Sequence, residues 1–346
     1  MKPKFFLIVA LLLLPFAAFA RQEGEVLLTP DGTLYTIDTE WAADHPEVVT
    51  ASNNYLVLTA RRGDNVERRL VPASLSAGIH TNPSLAYDND SRTLFIFWQH
   101  AETLMESELV FESFGADGEW GSVTAFGNGK NPRYNLRIAL TRKAELEGDD
   151  GAISTASELN LHAVWWEWDY NSTSASARYA MLTVENGAVS NISLHSLEEF
   201  VAPHSTTYPV DPEMNAEILK FPAVSTTAMQ DSVDVVFGNL AENGFHTVRI
   251  RPRFKLQGDA RIHIPIGVRE NAFPAPEFRT ATDNVRIGGF TGTEGNVAFY
   301  FDGKSSLNYL MFKHGQWTDT RSIAIDEAVT RDTALDAVRR LVNDTE

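Results

Sequence analysis

Acidic side chains follow three of the β-rich runs in this sequence, at the positions where a strand would end. These carboxylates are Asp38, Glu167, Asp169 and Asp302. Two carboxylates that share a cleft can hydrolyse a glycosidic bond, at a separation of roughly 5–5.5 Å for retention or 6.5–9.5 Å for inversion. We therefore take these four residues as the candidate catalytic groups if the protein is an enzyme.

Imidazole, amide, guanidinium and aromatic groups near the same strand ends are suited to binding. Sugar hydroxyls need hydrogen-bonding partners, and the C–H faces of a sugar ring stack on aromatic rings. The tryptophans at 165 and 166 are expected in the core, whereas the one at 168 lies closer to a turn. The candidate ligand-binding residues are His80, Asn82, Gln99, His100, Arg133, Trp168 and Tyr170.

The residue types and spacings argue against several other chemistries. The chain has no cysteine, which excludes disulfides, thiolate metal sites and a cysteine nucleophile. No His-x-His or Glu-x-x-His spacing is present, so we predict no metal site and no cofactor. There is no Gly-x-Ser-x-Gly motif of an α/β-hydrolase either.

These residues belong to a repeating pattern of short apolar runs. The most apolar runs begin at Leu34, Leu94, Leu161, Val235 and Val297. Runs that are apolar on both faces indicate strands covered by neighbouring sheets on either side. Starts that are 60 to 74 residues apart indicate an internal structural repeat.

Each apolar run is the second of four predicted strands, and tight polar turns join the third strand to the fourth. Two of these turns are Ala116-Asp117-Gly118 and Glu185-Asn186-Gly187, and Asp-Gly and Asn-Gly favour hairpins. The order recurs five times. It therefore predicts an all-β protein, a β-propeller of five four-stranded blades, or six if one blade has diverged. A pair of β-sandwiches is the alternative.

Two of the hairpins resemble the Gly-x-Trp hairpins of sialidase-like and lectin-like β-propellers. They are Gly115-Ala116-Asp117-Gly118-Glu119-Trp120 and Lys313-His314-Gly315-Gln316-Trp317. The resemblance implies a propeller fold over most of the chain. Catalytic sialidases also carry an early Arg-Ile-Pro strand that helps to supply an arginine triad, and none occurs here near residues 25–60.

The long connections of such a propeller cluster at one end, where the second strands finish and the first strands begin. They are Ala42–Asn54, Ser74–Pro83, Ser196–Lys220 and Val268–Asn284, and we expect the ligand there. At the opposite end, the insertion Arg142–Ser157 carries four acidic residues. We predict that this insertion is a solvated hairpin tip.

The N-terminal segment predicts export. Lys2 and Lys4 precede an apolar run that closes on small residues at Ala20, which is typical of a secretory signal. We predict cleavage after Ala20, a secreted or periplasmic location, a propeller domain over 21–327 and no stable membrane span after cleavage. Residues 328–346 form a predicted tail with a short helix over Asp332–Asn343.

The charge balance narrows the class of partner. The chain has 46 acidic residues against 29 Lys and Arg, for a net charge of -17. This balance argues against nucleic acid, because phosphate binding needs clustered basic residues. We expect a monomer that binds a glycan or protein ligand.

Three functions are compatible with these patterns. The first is a secreted module that binds a glycan or protein through its loop-rich face. The second is a glycosidase or lyase that uses paired carboxylates on a polysaccharide, and the third is an envelope assembly or scaffold protein. Two carboxylates within one central cleft would favour the enzyme.

Overall fold

The structure is a computed structural model of the 346-residue chain. It describes residues 24–29, 31–103, 106–129, 131, 133–142, 145–146, 159–169, 174–185, 188–201, 207–209, 223–226, 231–239, 244–257, 260–274, 287–292, 295–301, 306–313, 316–317 and 321–324. The predicted signal segment 1–20, the C-terminal helix 332–343, Tyr170 and Asp302 lie outside the described residues.

The first two sheets are four-stranded antiparallel meanders, in which each strand pairs with the next along the chain. The strands of sheet 1 are β1 (Gly24–Leu28), β2 (Leu34–Trp41), β3 (Asn54–Arg62) and β4 (Asn65–Leu70). The strands of sheet 2 are β5 (Ile79–Asp88), β6 (Thr93–Thr103), β7 (Glu106–Phe114) and β8 (Thr124–Gly129). A 3-10 turn, Pro72–Leu75, lies in the connection between these two sheets.

The third and fourth sheets repeat the meander with added strands. Sheet 3 contains β9 (Arg133–Thr141), β11 (Leu159–Asp169), β12 (Ser174–Glu185) and β13 (Ala188–Ser196), and β14 (Thr207–Pro209) also pairs with β12. Sheet 4 contains β15 (Ala223–Thr226), β16 (Val233–Asn239), β17 (Gly244–Gln257) and β18 (Ala260–Pro274), and β10 (Glu145–Leu146) pairs with β17.

The fifth sheet completes the described strands, and helix is nearly absent from the described residues. Sheet 5 contains β19 (Ile287–Gly292), β20 (Gly295–Phe301), β21 (Ser306–Lys313), β22 (Gln316–Trp317) and β23 (Arg321–Ala324). A short helix, α1 (Glu198–Val201), follows sheet 3. Within the described ranges, no helix is long and apolar enough to cross a membrane.

The all-β prediction is confirmed, and the second strand of each sheet is one of the apolar runs that the sequence singled out. The first strands of successive sheets are neighbours: β1 contacts β5, β5 contacts β9, β9 contacts β15, and β15 contacts β19. The arrangement is that of a propeller-like fold, because the sheets pack face to face while their first strands lie side by side.

The hydrophobic core is divided into layers between successive sheets. Both faces of sheets 2 and 3 are covered, which explains why their second strands are apolar on both sides. Trp165 and Trp166 are both buried, and they face opposite layers. Representative members are Ile37 and Trp98 between sheets 1 and 2, Phe97 and Trp165 between sheets 2 and 3, and Trp166 and Val235 between sheets 3 and 4.

The first Gly-x-Trp segment forms a tight hairpin whose tryptophan packs locally. Gly115 N–H donates to Glu119 O at 2.9 Å, and Gly118 adopts a φ of 83°. The Trp120 ring lies 4.8 Å from the Phe114 ring, centroid to centroid. In the second segment, Trp317 pairs with Phe312 across β21 and β22. The tryptophan therefore lies beside the third-to-fourth strand turn in both cases.

The acidic insertion differs from the expected solvated hairpin tip in its described part. Its residues Glu145 and Leu146 form β10, which crosses to sheet 4 and pairs in parallel with Arg253 and Phe254 of β17. Sequence periodicity missed this strand because two residues are too short to show an alternating pattern.

Candidate functional site

The candidate residues that the structure describes lie at one end of the sheets, which we call the loop end. It is the end at which the second strands finish, at Trp41, Thr103, Asp169 and Asn239. Strand register brings the start of each first strand to this end: His80 is opposite His100, and Arg133 is opposite Glu167. In sheet 1, Gly24 is opposite Asp38.

Arg133 is buried and ties sheet 3 to sheet 2. Its side chain is 3% exposed, its Nη1 donates to Ser107 O at 2.8 Å, and its Nη2 donates to Gly127 O. Burial lowers the pKa of the guanidinium, and the nearby Glu167 carboxylate opposes that shift. A Cβ on Gly129 would lie 2.9 Å from Arg133 Nη2, so the glycine makes room for the guanidinium.

Glu167 receives contacts on both carboxylate oxygens. Oε2 is 3.7 Å from Arg133 Nε, and Oε1 is 3.6 Å from Arg178 Nη2. Asn131 Nδ2 also donates to Oε1 at 3.3 Å. The carboxylate is thus paired with two guanidinium groups and an amide at the junction of sheets 2 and 3.

Arg178 belongs to this cluster but was absent from the candidates that the sequence indicated. It lies on β12, two residues from Ser176, which is opposite Glu167, so it shares the face of Glu167. Its side chain is 39% exposed. Arg178 joins the cluster only through the pairing of β12 with β11. The sequence alone does not show which residues of two strands lie opposite each other.

His80 has both ring nitrogens engaged inside the protein. Trp98 Nε1 donates to His80 Nδ1 at 3.0 Å, which leaves the proton on Nε2, where it faces Ser76 O at 3.2 Å. Burial lowers the pKa of His80 to about 4. The ring is therefore a neutral part of the interior at physiological pH.

His100 stacks on the ring of His80, with centroids 4.9 Å apart and 15° between the ring planes. Its Nδ1 lies 3.2 Å from Glu108 Oε1, and its Nε2 lies 2.9 Å from Ala77 O. Both ring nitrogens thus face acceptors, which orients the imidazole toward the connection between sheets 1 and 2.

Asn82 and Gln99 are joined where β5 bulges. Two residues of β5, Asn82 and Pro83, oppose Trp98 alone, and Asn82 takes a φ of 51° there. Asn82 Nδ2 donates to Gln99 Oε1 and to Arg133 O, each at 3.2 Å. These two amides connect the sheet 2 bulge to the first strand of sheet 3.

The remaining described candidates are half-buried at the loop end. Trp168 packs against the core layer between sheets 3 and 4, and Asp169 ends β11 beside it. Asp38 accepts a hydrogen bond from Thr36 Oγ1 at 3.4 Å. The structure thus brings Arg133 to Glu167, His80 to His100 and Asn82 to Gln99, in neighbouring sheets.

The β2–β3 connection also lies at the loop end, where it carries exposed side chains and is held by hydrogen bonds. Its backbone and hydroxyl groups bond to the connection between sheets 1 and 2, for example Ser52 Oγ to Gly78 O at 2.5 Å and Thr50 Oγ1 to Leu75 O at 3.0 Å. Trp41, at its start, is 39% exposed, and Val49 is 92% exposed. Hydrogen bonding therefore fixes a loop that presents apolar side chains to solvent.

The residues that the structure describes contain no cluster of potential metal ligands. No group of three or more His, Asp or Glu side chains in those ranges could hold an ion.

Comparison with known proteins finds similarity to solved structures only at a distant level. No family model matches the chain. No curated protein matches it either. Among solved structures, the chain is similar to Trypanosoma rangeli sialidase in complex with 2-keto-3-deoxy-D-glycero-D-galacto-2,3-difluoro-nononic acid, at 11% identity and a TM-score of 0.40. The match covers 88% of this chain and 48% of the sialidase chain, so this chain spans about half of that structure.

Proposed function

We propose that this protein is a glycan-binding module that takes its ligand at the loop end. The observation that carries the proposal is the pairing of Glu167 with the partly exposed Arg178 on adjacent strand ends of sheet 3. The half-buried Trp168 lies at the same strand end, on the opposite face of the sheet. An ion pair offers acceptors and donors to sugar hydroxyls, while an indole offers an apolar face. Trp41 contributes a second indole at the same end of sheet 1.

We also propose that the five sheets close into a five-bladed propeller. In addition to the neighbouring first strands described above, β19 contacts β1, which would complete the ring. A closed ring would gather the strand ends of all five sheets around one axis. A ligand of several sugar units could then contact more than one sheet.

The environment of Glu167 favours binding over hydrolysis. A glycosidase needs a carboxylic acid that donates a proton and a second carboxylate that is free to act as a base or nucleophile. Both oxygens of Glu167 are instead engaged by Arg133, Arg178 and Asn131. Its geometry suits a fixed hydrogen-bond acceptor.

A glycan array followed by calorimetry on the hits tests the proposal, with Arg178→Ala as the variant. Arg62→Ala is the matched control, because Arg62 is also exposed, is also paired with a carboxylate, Asp31 at 3.7 Å, and lies at the opposite end. We expect Arg178→Ala to weaken binding roughly tenfold, the effect of losing a hydrogen bond to a charged group, and Arg62→Ala to leave it unchanged.

Several outcomes would overturn the proposal. Equal effects of the two substitutions would remove the loop end from the binding surface. Release of shorter sugars from a bound polysaccharide would establish an enzyme, and binding to proteins with no glycan hit would establish a protein ligand.

We further propose that the protein is exported, on the basis of the sequence of residues 1–20. Mass spectrometry of the exported chain should then give a species that begins at Arg21. A species that retains residues 1–20 would contradict this proposal.

A further inference from the structure

The last strand of sheet 1 lies at the edge of that sheet and is largely exposed. β4 (Asn65–Leu70) follows β3 through the two-residue turn Gly63-Asp64, and within the described ranges it pairs with β3 alone. Every residue of β4 is exposed except Arg69, which is partly buried. The strand therefore forms the outer edge of sheet 1.

The main-chain groups of alternate β4 residues point away from β3. Asn65 lies opposite Arg62 across the turn, and Val71 N–H, just past the strand, donates to Leu56 O at 3.0 Å. In an antiparallel pair, every second residue is hydrogen bonded to the facing strand, so the odd-numbered residues of β4 bond to β3. The residues whose N–H and C=O groups point outward are Val66, Arg68 and Leu70. Such an edge is a template for a further strand.

The side chains along this edge are both apolar and charged. Val66 is 52% exposed and Leu70 is 37% exposed, and the two lie on one face of the strand because their positions differ by an even number. Glu67 and Arg69 lie on the other face, where Glu67 Oε1 is 2.5 Å from Arg69 Nη2. The edge thus presents an apolar pair on one face and an opposite-charge pair on the other.

These side chains are complementary to themselves in one register. Two copies of β4 can pair antiparallel about a two-fold axis through Arg68. Each Val66 then lies opposite Leu70 of the second copy. Each Glu67 lies opposite Arg69 of the second copy, and the axis repeats both contacts. An axis through Glu67 would instead place the two copies of Glu67 opposite each other, where like charges are destabilising.

We propose that the protein forms a symmetric dimer in which β4 pairs antiparallel with β4 of a second copy. The partner is a second copy because residues 66–70, Val-Glu-Arg-Arg-Leu, match their own reversed sequence in charge and in apolar character. The two copies of Arg68 meet at the axis, where Glu40 of each copy pairs with its own Arg68. The dimer depends on concentration, so dilute protein is the monomer that the sequence predicts. The proposal does not depend on glycan binding.

Charge reversal at two positions of β4 tests the register. Glu67→Arg and Arg69→Glu each place like charges opposite each other, so each variant alone should dimerise at least about tenfold more weakly than the wild type. An equimolar mixture of the two variants restores both opposite-charge pairs and should restore dimerisation. Sedimentation velocity from about 1 μM to about 1 mM measures the dissociation constants.

The matched controls make the same charge changes far from β4. Glu185→Arg and Arg321→Glu alter exposed positions of sheets 3 and 5, and both should dimerise like the wild type. The chain has a net charge of -17, so Glu67→Arg reduces the overall repulsion between copies. A weaker dimer of Glu67→Arg would therefore report the facing pairs of β4 and not the overall charge.

Substitution at the axis tests the main-chain hydrogen bonds. Arg68→Pro removes an N–H group that points away from β3, so it should abolish dimerisation and leave sheet 1 intact. Arg68→Ala removes the same charge and keeps the N–H group. It should dimerise at least as tightly as the wild type, because two like charges no longer face each other. Thermal unfolding checks that each variant is folded.

Three results would overturn the proposal. The first is a wild-type protein that stays monomeric over the whole range of concentration. The second is a mixture of Glu67→Arg and Arg69→Glu that is no more dimeric than either variant alone. The third is a folded Arg68→Pro variant with the wild-type dissociation constant. Should Arg68→Pro fail to fold, the mixture of the two charge-reversal variants decides.

Discussion

At the scale of single residues, the interior holds ionisable groups that burial keeps neutral. Glu112 on β7 is 2% exposed, and it faces the connection between sheets 1 and 2, where its Oε2 accepts a hydrogen bond from Ala73 N–H at 3.4 Å. Removal from water raises the pKa of Glu112 to about 7. A protonated carboxyl group is therefore the form that this site accommodates.

We expect Glu112→Gln to stabilise the protein above pH 7. The pKa in the folded protein lies above the ordinary value of 4.5, so the stability contributed by the protonated acid is complete below pH 4.5 and is lost as the pH rises through 7. A shift of this size corresponds to about 3 kcal/mol. Urea unfolding of both proteins at pH 5 and pH 8 measures the change in the free energy of unfolding.

The control for that substitution is Glu67→Gln, which changes an exposed glutamate on β4. As a substitution at an exposed position, it should change the free energy of unfolding by less than about 0.5 kcal/mol. A Glu112→Gln variant that loses as much stability at pH 8 as at pH 5 would contradict the assignment of a neutral carboxyl group.

Glycine is required at position 78 by a neighbouring side chain. A Cβ there would approach His100 Nε2 to 2.4 Å, at a φ of 133°. We expect Gly78→Ala to cost about 1–3 kcal/mol more than Gly32→Ala, the range for forcing extra atoms into a packed site. Gly32 is the matched control, since its φ of 82° is also positive but no atom lies within 4 Å of the added carbon. Equal losses in thermal unfolding would mean that the backbone conformation alone decides the cost.

At the scale of elements, the first strands of sheets 2 and 3 each contain a bulge at the equivalent position. In each sheet, the bulge is followed by a pair of facing residues of different chemistry. In β5 two residues oppose Trp98, and in β9 two residues, Asn135 and Leu136, oppose Trp165. Two residue pairs from the bulge, toward the loop end, His80 lies opposite His100 in sheet 2, and Arg133 lies opposite Glu167 in sheet 3. The repeat thus retains its backbone geometry while a stacked imidazole pair is replaced by an ion pair.

The first strand of sheet 2 is joined to sheet 1 by the side chain of Asn54. Its Nδ2 donates to His80 O, and its Oδ1 accepts from His80 N–H, each at 2.8 Å. We expect Asn54→Ala to destabilise the protein by about 2–4 kcal/mol, because it leaves two buried main-chain groups without partners at about 1–3 kcal/mol each.

The control is Asn53→Ala, because Asn53 is exposed and its main-chain groups, which the substitution retains, bond to Ala42 and Gly78. Chemical unfolding of both variants gives the comparison. Equal stability of the two variants would show that water replaces the Asn54 amide without cost.

At the scale of the whole molecule, two buried histidines make the stability of the fold depend on pH in the acid range. Burial lowers the pKa of His80 to about 4 and that of His162 to about 3; His162 lies between Thr141 Oγ1 at 2.9 Å and Tyr179 OH at 2.6 Å. Both values lie below the ordinary 6.5. The stability that the neutral rings contribute is therefore present above pH 6.5 and is lost as the pH falls through 4 and then 3.

We expect the free energy of unfolding to fall by up to about 1.4 kcal/mol per pH unit for each of these histidines below pH 6.5. His80→Gln should make the slope shallower between pH 6.5 and 4, while its cost at pH 7.5 reports the lost hydrogen bonds separately. Urea unfolding over pH 3.5–7.5 measures both quantities. An unchanged slope in the variant would contradict a neutral buried His80.

The sequence determined the strands of this protein to a large extent. The apolar run at Val235, for example, lies in β16, and the runs at Leu94 and Leu161 lie in the doubly covered strands β6 and β11. These features depend on the alternation of apolar residues and on turns such as Asp117-Gly118, which are local properties of the chain. The same signals placed His100 and Glu167 at one end of their sheets.

Only the tertiary structure decided what each of those side chains does. His80 is neutral because Trp98, Ser76 and the surrounding layers remove it from water, and Glu167 is paired because a bulge in β9 and the register of β12 bring Arg133 and Arg178 to it. A bulge changes which residues share a face, and a single residue of register shift moves a side chain to the other face. Such contacts join residues far apart in the chain, so local sequence patterns do not contain them.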